Sequence, residues 1–124
     1  MTRLVILESP FAGSITLNLD YARECLADSL KRGEAPIASH LLYTQPGVLN
    51  DDDPEQRRLG IEAGHAWMKV ADAVVFYEDL GMSTGMKNGL VAAHKANVTI
   101  EMRKIRNVLG EPRQAYTLGE HDHR

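Results

Sequence analysis

The residues best placed to do chemistry lie between Asp72 and Asn88, in the stretch DAVVFYEDLGMSTGMKN. An apolar run, Ala73–Tyr77, ends in two adjacent carboxylates, Glu78 and Asp79, and then in the small-residue loop GMSTG, which opens a helix. A strand that feeds a Gly/Ser loop and a helix start is a usual way for an α/β protein to offer backbone N–H groups to an anion. Ser83, Gly85 and Met86 begin that helix, and Lys87 on its first turn is a cation that could neutralise a phosphate. Glu78 and Asp79 sit where a carboxylate can hold ribose hydroxyls or attack an anomeric carbon. Two neighbouring carboxylates in a turn are also commonly just solvated, and both readings stay open.

A second group follows the N-terminal apolar run, in the turn-rich segment ESPFAGS. Phe11, between Pro10 and Gly13, is an aromatic on a loop, able either to stack on a base or to plug the end of the sheet. The amides of Gly13 and Ser14 make a second helix start. A polar segment over residues 39–53 adds His40, a polar contact or acid/base group, and Tyr43. An irregular stretch of that length in a small domain is more often functional than idle. No Walker-type phosphate loop, GxGxxG run, metal-spaced Cys/His cluster or GxSxG elbow is present, so neither a cofactor nor a metal is expected.

These segments need a scaffold, and the rest of the chain supplies one. The 124 residues suffice for one domain, and 44% hydrophobic and 25% charged content is ordinary for a globular protein. A net charge of -3 gives no general attraction to nucleic acid or to an anionic membrane. Arg103, Lys104, Arg106 and Arg113 form a basic run read as a solvated face. A single cysteine, Cys25, excludes an internal disulfide, reads as a small apolar residue and suits a cytoplasmic protein. No run of about 18 apolar residues is present to span a membrane.

Strands are expected over residues 4–7, 35–38, 73–77 and 98–100. The first helix, capped by Ser14, carries Ile15, Leu19, Ala22, Leu26 and Leu30 as an apolar stripe and stops at Gly33. The second begins at Asp53 and Pro54 with a stripe through Leu59, Ala63, Ala66 or Trp67, and Val70. The third turns Met86, Leu90 and Ala93 inward. Alternating strands and helices imply an α/β, flavodoxin/Rossmann-like three-layer sandwich, with a parallel sheet of four strands (or a fifth) in the order 2-1-3-4. That order brings the loops over residues 8–14 and 78–84 together at the carboxyl ends of strands 1 and 3. The domain is expected to span residues 1–106, with residues 107–124 a tail.

Taken in order, SPFAG, NLDYA, Gly33 with Pro36, SHLLYTQ, DDDPEQR, DAVVFYEDLG and STGM before a helix resemble the nucleoside 2-deoxyribosyltransferase-like superfamily. The likeness is greatest to its small phage and bacterial members of unassigned function. The resemblance implies a pocket to which the Phe11 loop, Asn18 and Asp72 contribute, often built across a subunit interface in a homo-oligomer. It also implies N-glycosidic bond cleavage by a helix glutamate within G-T-x-x-E. Laid on Gly85, Met86, Lys87 and Asn88, that pattern puts Gly89 where the glutamate stands, with no carboxylate within a helical turn along the sequence.

The expected function is therefore binding of a nucleoside, nucleotide or ADP-ribose-like molecule without turnover, as a phage-type sponge sequestering a nucleotide signal. The expected contacts are those named above: Pro10, Phe11, Gly13 and Asn18; His40, Tyr43, Asp72 and Asp79; and Ser83, Gly85, Met86 and Lys87. The alternatives are an N-glycosidase or nucleoside deoxyribosyltransferase attacking through Glu78 or Asp79, and an interaction domain presenting residues 103–106.

Overall fold

Strand and helix alternate along the computed structural model, which describes residues 2–11 and 14–106. The elements are β1 (Leu4–Glu8), α1 (Ile15–Lys31), β2 (Ala35–Ile37), α2 (Ser39–Leu42), α3 (Pro54–Ala66), a 3-10 turn (Trp67–Lys69), β3 (Ala73–Tyr77), α4 (Thr84–Lys95) and β4 (Thr99–Arg103). All pairings are parallel, in the order β2-β1-β3-β4. This is the α/β, Rossmann-like arrangement that the strand and helix pattern implies. The expected Gly13 site and the tail over residues 107–124 lie outside the described residues.

β1 and β3 are central and covered on both faces, which is why they read as near-continuous apolar runs rather than alternating ones. Every residue of β3 is buried. On one face Val5, Leu7, Val75 and Tyr77 pack against Tyr21 and Cys25 of α1. On the other, Ile6, Val74 and Phe76 pack against Met68 and against Met86 and Ala93 of α4. β2 is the edge strand: the Ala35 amide donates to the Arg3 carbonyl at 2.8 Å, and Pro36 pairs with Val5. α4 ends where Asn97 takes a positive φ of 57°, a conformation asparagine tolerates better than most residues.

Four expectations are corrected. The buried stripe of α1 runs through Asn18, Tyr21, Ala22, Cys25, Asp28 and Ser29, while Leu30 is exposed. The reason is a polar network under the helix's last turns, which draws Asp28 and Ser29 inward. Ser14 stands at the N-cap of α1, but its side chain makes no capping bond. On α3, Leu59 lies outward, as do Trp67 and Val70 just beyond it. The inward side of α3 is made of small residues, because α2 passes so close that a Cβ on Gly64 would lie 2.6 Å from the Ser39 hydroxyl. That close approach also makes part of the expected loop over residues 39–53 a short helix, α2, and fixes His40 beside β1. Asp53 does cap α3 through the Glu55 amide, with Pro54 at its first turn. No helix among the described residues is long and apolar enough to cross a membrane.

Candidate functional site

At the carboxyl ends of β1 and β3, where the chain reverses direction across the sheet, a cavity of about 450 Å³ opens. Its floor is Glu8 and Ser9 at the end of β1, with Phe11 on the loop beyond. α2 contributes His40, and the segment after it Tyr43 and Thr44; α3 adds Gln56, Arg57 and Gly60. The start of α4 closes the remaining side with Ser83, Thr84 and Gly85. Ser83 caps that helix by accepting from the Met86 amide at 3.2 Å. The amides of Thr84 and Gly85, in the first turn, have no partner within the helix, as helix geometry requires.

The cavity's main electrostatic feature is Glu8. Strand alternation puts Glu8 on the same face as Ile6, the face covered by α4, so its carboxylate reaches across to Gly89. A Cβ built on Gly89 would lie 3.1 Å from Oε2, 3.2 Å from Cδ and 3.4 Å from Oε1 of Glu8. The carboxylate thus occupies the place a side chain at position 89 would need. Among the described residues it has neither a hydrogen-bond partner nor a counter-charge, and burial pushes it up to about 7. The expectation that no carboxylate stands at Gly89 holds along the helix and fails in space. The signal was present in the sequence: LVILE followed by Ser-Pro is an apolar parallel strand whose last residue is a carboxylate at its carboxyl end.

Beside it, Ser9 Oγ and His40 Nε2 lie 2.8 Å apart, and the Phe11 ring meets the His40 ring edge-on, with centroids 6.2 Å apart. Burial pushes His40 down to about 4, so its ring is neutral at pH 7. It can there donate or accept a hydrogen bond but carries no charge. The Asn18 amide group donates to the Phe11 carbonyl at 3.0 Å and so positions this loop from below. Trp67 Nε1 donates to the Tyr43 hydroxyl at 2.9 Å, and Arg57 pairs with Asp51 at 2.7 Å on the rim. Among the described residues, no group of three or more His, Cys, Asp or Glu side chains is placed to hold a metal ion.

Residues 3–103 match the family model described as a domain of unknown function, DUF7768. The chain belongs to the DUF7768 family. No curated protein matches it in sequence. Among solved structures, the DUF7768 chain is similar to a 2-deoxyribosyltransferase from the psychrotolerant bacterium Bacillus psychrosaccharolyticus, with a TM-score of 0.65 and 15% identity over 96% of this chain and 80% of that one. At that identity the likeness is one of fold.

Of the residues singled out in the DUF7768 sequence, Phe11, His40, Tyr43, Ser83, Gly85 and Met86 line the cavity, and Pro10, Asn18, Asp72, Asp79 and Lys87 do not. Asp72 stands at the opposite end of the sheet, where Oδ2 accepts from the Leu4 amide at 2.7 Å and aligns β3 with β1. Glu78 borders a separate recess with Arg103 and Lys104. Asp79 is a structural bracket: its carboxylate accepts from the Tyr21 hydroxyl at 2.5 Å and from the amides of Ile105 and Arg106, each at 3.0 Å. It faces α1 and the chain after β4, which removes it as an attacking group for the cavity. An Asp79→Asn variant is expected to lose about 1–3 kcal/mol in urea unfolding, because an amide offers one acceptor oxygen where three donors converge. Ligand retention by the folded variant should match the native protein. Cys25 is fully buried, and burial raises its thiol far above the ordinary range, so it is inert as a nucleophile.

Proposed function

We propose that the cavity binds a nucleoside- or nucleotide-like small molecule. The observation that carries this reading is the convergence at one cavity of an aromatic ring, Phe11, with the amides that begin α4 and the Arg57 guanidinium. An aromatic can stack on a base, and a helix start and a cation suit hydroxyls or a phosphate. The placement at the reversal point of a parallel sheet is where such folds bind ligands. The similarity in fold to a 2-deoxyribosyltransferase supports the same ligand class. ADP-ribose-like molecules belong to it too, and a sponge that sequesters such a molecule needs nothing beyond this binding.

Equilibrium dialysis against adenosine, deoxyadenosine, deoxycytidine, AMP and ADP-ribose tests the proposal. Retention of at least one is expected, and a Phe11→Ala variant should bind it about 5- to 100-fold more weakly, the range for loss of one base–aromatic stack. Retention of none of these compounds would overturn it.

A further inference from the structure

We propose that Glu8 is the catalytic carboxylate of this cavity, holding from β1 the position that a glutamate at residue 89 would hold from α4, and that it attacks the anomeric carbon of the bound nucleoside. The inference rests on the nucleoside reading and adds turnover to it.

Three observations converge on Glu8. Its carboxylate lies beside Gly89, close enough that a Cβ there would stand 3.1–3.4 Å from it and press it back by a few tenths of an ångström. It lines the cavity beside Ser9, Phe11 and His40. Among the described residues it has no cation or hydrogen-bond donor to hold it as a structural ion pair, unlike Asp79 or Glu34. A carboxylate kept in a desolvating site without a partner costs stability, and such groups cluster where chemistry is done. Carboxylates are also the nucleophiles of glycosyl transfer.

The reaction balances with water alone. A Glu8 oxygen forms a bond to C1′ of the sugar as the C1′–N bond breaks, and the electron pair leaves on the base nitrogen, which takes a proton from water. Water then adds to C1′ and the ester bond breaks. The carboxylate is restored and the second proton neutralises the hydroxide left by the first step. The sum is nucleoside plus water giving sugar plus free base. If a second base takes the place of water, the same ester yields an exchanged nucleoside.

The full chain is incubated with deoxyadenosine, deoxycytidine and adenosine, and free base is followed by chromatography while retention is measured by dialysis. The native protein is expected to release base. Glu8→Gln, which keeps the side chain's shape, should lower the rate about a thousandfold or more, as removal of a nucleophile does, with retention changed less than about threefold. The decisive variant is the exchange Glu8→Ala with Gly89→Glu: it should recover at least about tenfold over Glu8→Ala alone, since the carboxylate then reaches the same place from the helix. Retention without base release by the native protein overturns the catalytic role and leaves the binding reading intact. Base release that survives Glu8→Gln also overturns it. Retention of none of these three overturns the catalytic role, and the binding reading falls with it only if AMP and ADP-ribose are not retained either.

Discussion

Replacing Arg103 with Met is expected to lower the unfolding free energy by about 3–5 kcal/mol, the effect of removing one partner of a buried ion pair. Arg103 is 6% exposed, and its guanidinium reaches both oxygens of Glu34, at 2.7 and 2.6 Å, as well as Glu101 at 2.7 Å and the Tyr77 hydroxyl at 3.1 Å. Glu34 also accepts from Ser29 at 2.8 Å and from Arg3 at 3.0 Å. Burial draws the Glu34 carboxyl upward, and the bonds from Arg103 and Ser29 outweigh it, so it sits below its ordinary value. Without Arg103, Glu34 would keep its burial and be left with the more exposed Arg3 as its ion-pair partner. Urea unfolding of Arg103→Met checks the magnitude. A second variant, Arg103→Met with Glu34→Leu, should recover most of the loss, because it removes the stranded charge together with its partner. A loss below about 1 kcal/mol for the single variant would show that the pair behaves as a surface bridge.

Glu8 makes the second large effect, and its sign depends on pH. Its folded-state carboxyl, at about 7 against an ordinary 4.5, holds a proton that the unfolded chain has already released. Its contribution is therefore fully present below about pH 4.5 and is lost as pH rises through 7, a change of about 3 kcal/mol. His40 works in the opposite direction. Its folded value of about 4 against 6.5 gives a contribution present above 6.5 and lost as pH falls through 4, again by about 3 kcal/mol. The two slopes nearly offset one another across pH 4–8, so their joint contribution in the native protein is almost flat. Glu8→Gln unmasks the His40 slope: relative to the native protein it should gain about 3 kcal/mol of stability between pH 4 and pH 8. Chemical unfolding at a series of pH values reads this directly, and a constant difference across that range would rule it out. A variant that is more stable at pH 8 and loses base release would be a trade of stability for function at one carboxylate.

The elements differ in how plainly their sequence marks them. β1 and β3 were legible because burial on both faces leaves an apolar run, and α3 because Asp53 and Pro54 mark its start. The register of α1 was not. A hydrophobic stripe cannot announce that Asp28 and Ser29 turn inward, since what holds them there is polar: the Tyr77 hydroxyl of β3 for Asp28, and for Ser29 the Glu34 carboxylate in the turn before β2. Asp79 looked reactive for the same reason: its donors, on Tyr21 and on residues 105 and 106, lie 58, 26 and 27 positions away. Arg103 looked like part of a solvated basic run and is a buried clamp, while Arg106 pairs with Glu24 at 2.8 Å. Glu8 is not legible as a neighbour of Gly89, because only the packing of α4 on the sheet brings together these residues 81 positions apart. The meeting of the loops over residues 8–14 and 78–84 followed from strand order alone, whereas His40 reaches the cavity through α2, which reads as loop in the sequence.

Pro36 in the short strand β2 has a bearing on how copies of this chain meet. Ala35 donates toward β1, so alternation turns the nitrogen of residue 36 outward, and proline has no hydrogen there to give. A stray strand approaching this margin finds a gap in the row of donors it would have to pair with, which blunts templated growth of the sheet into aggregates.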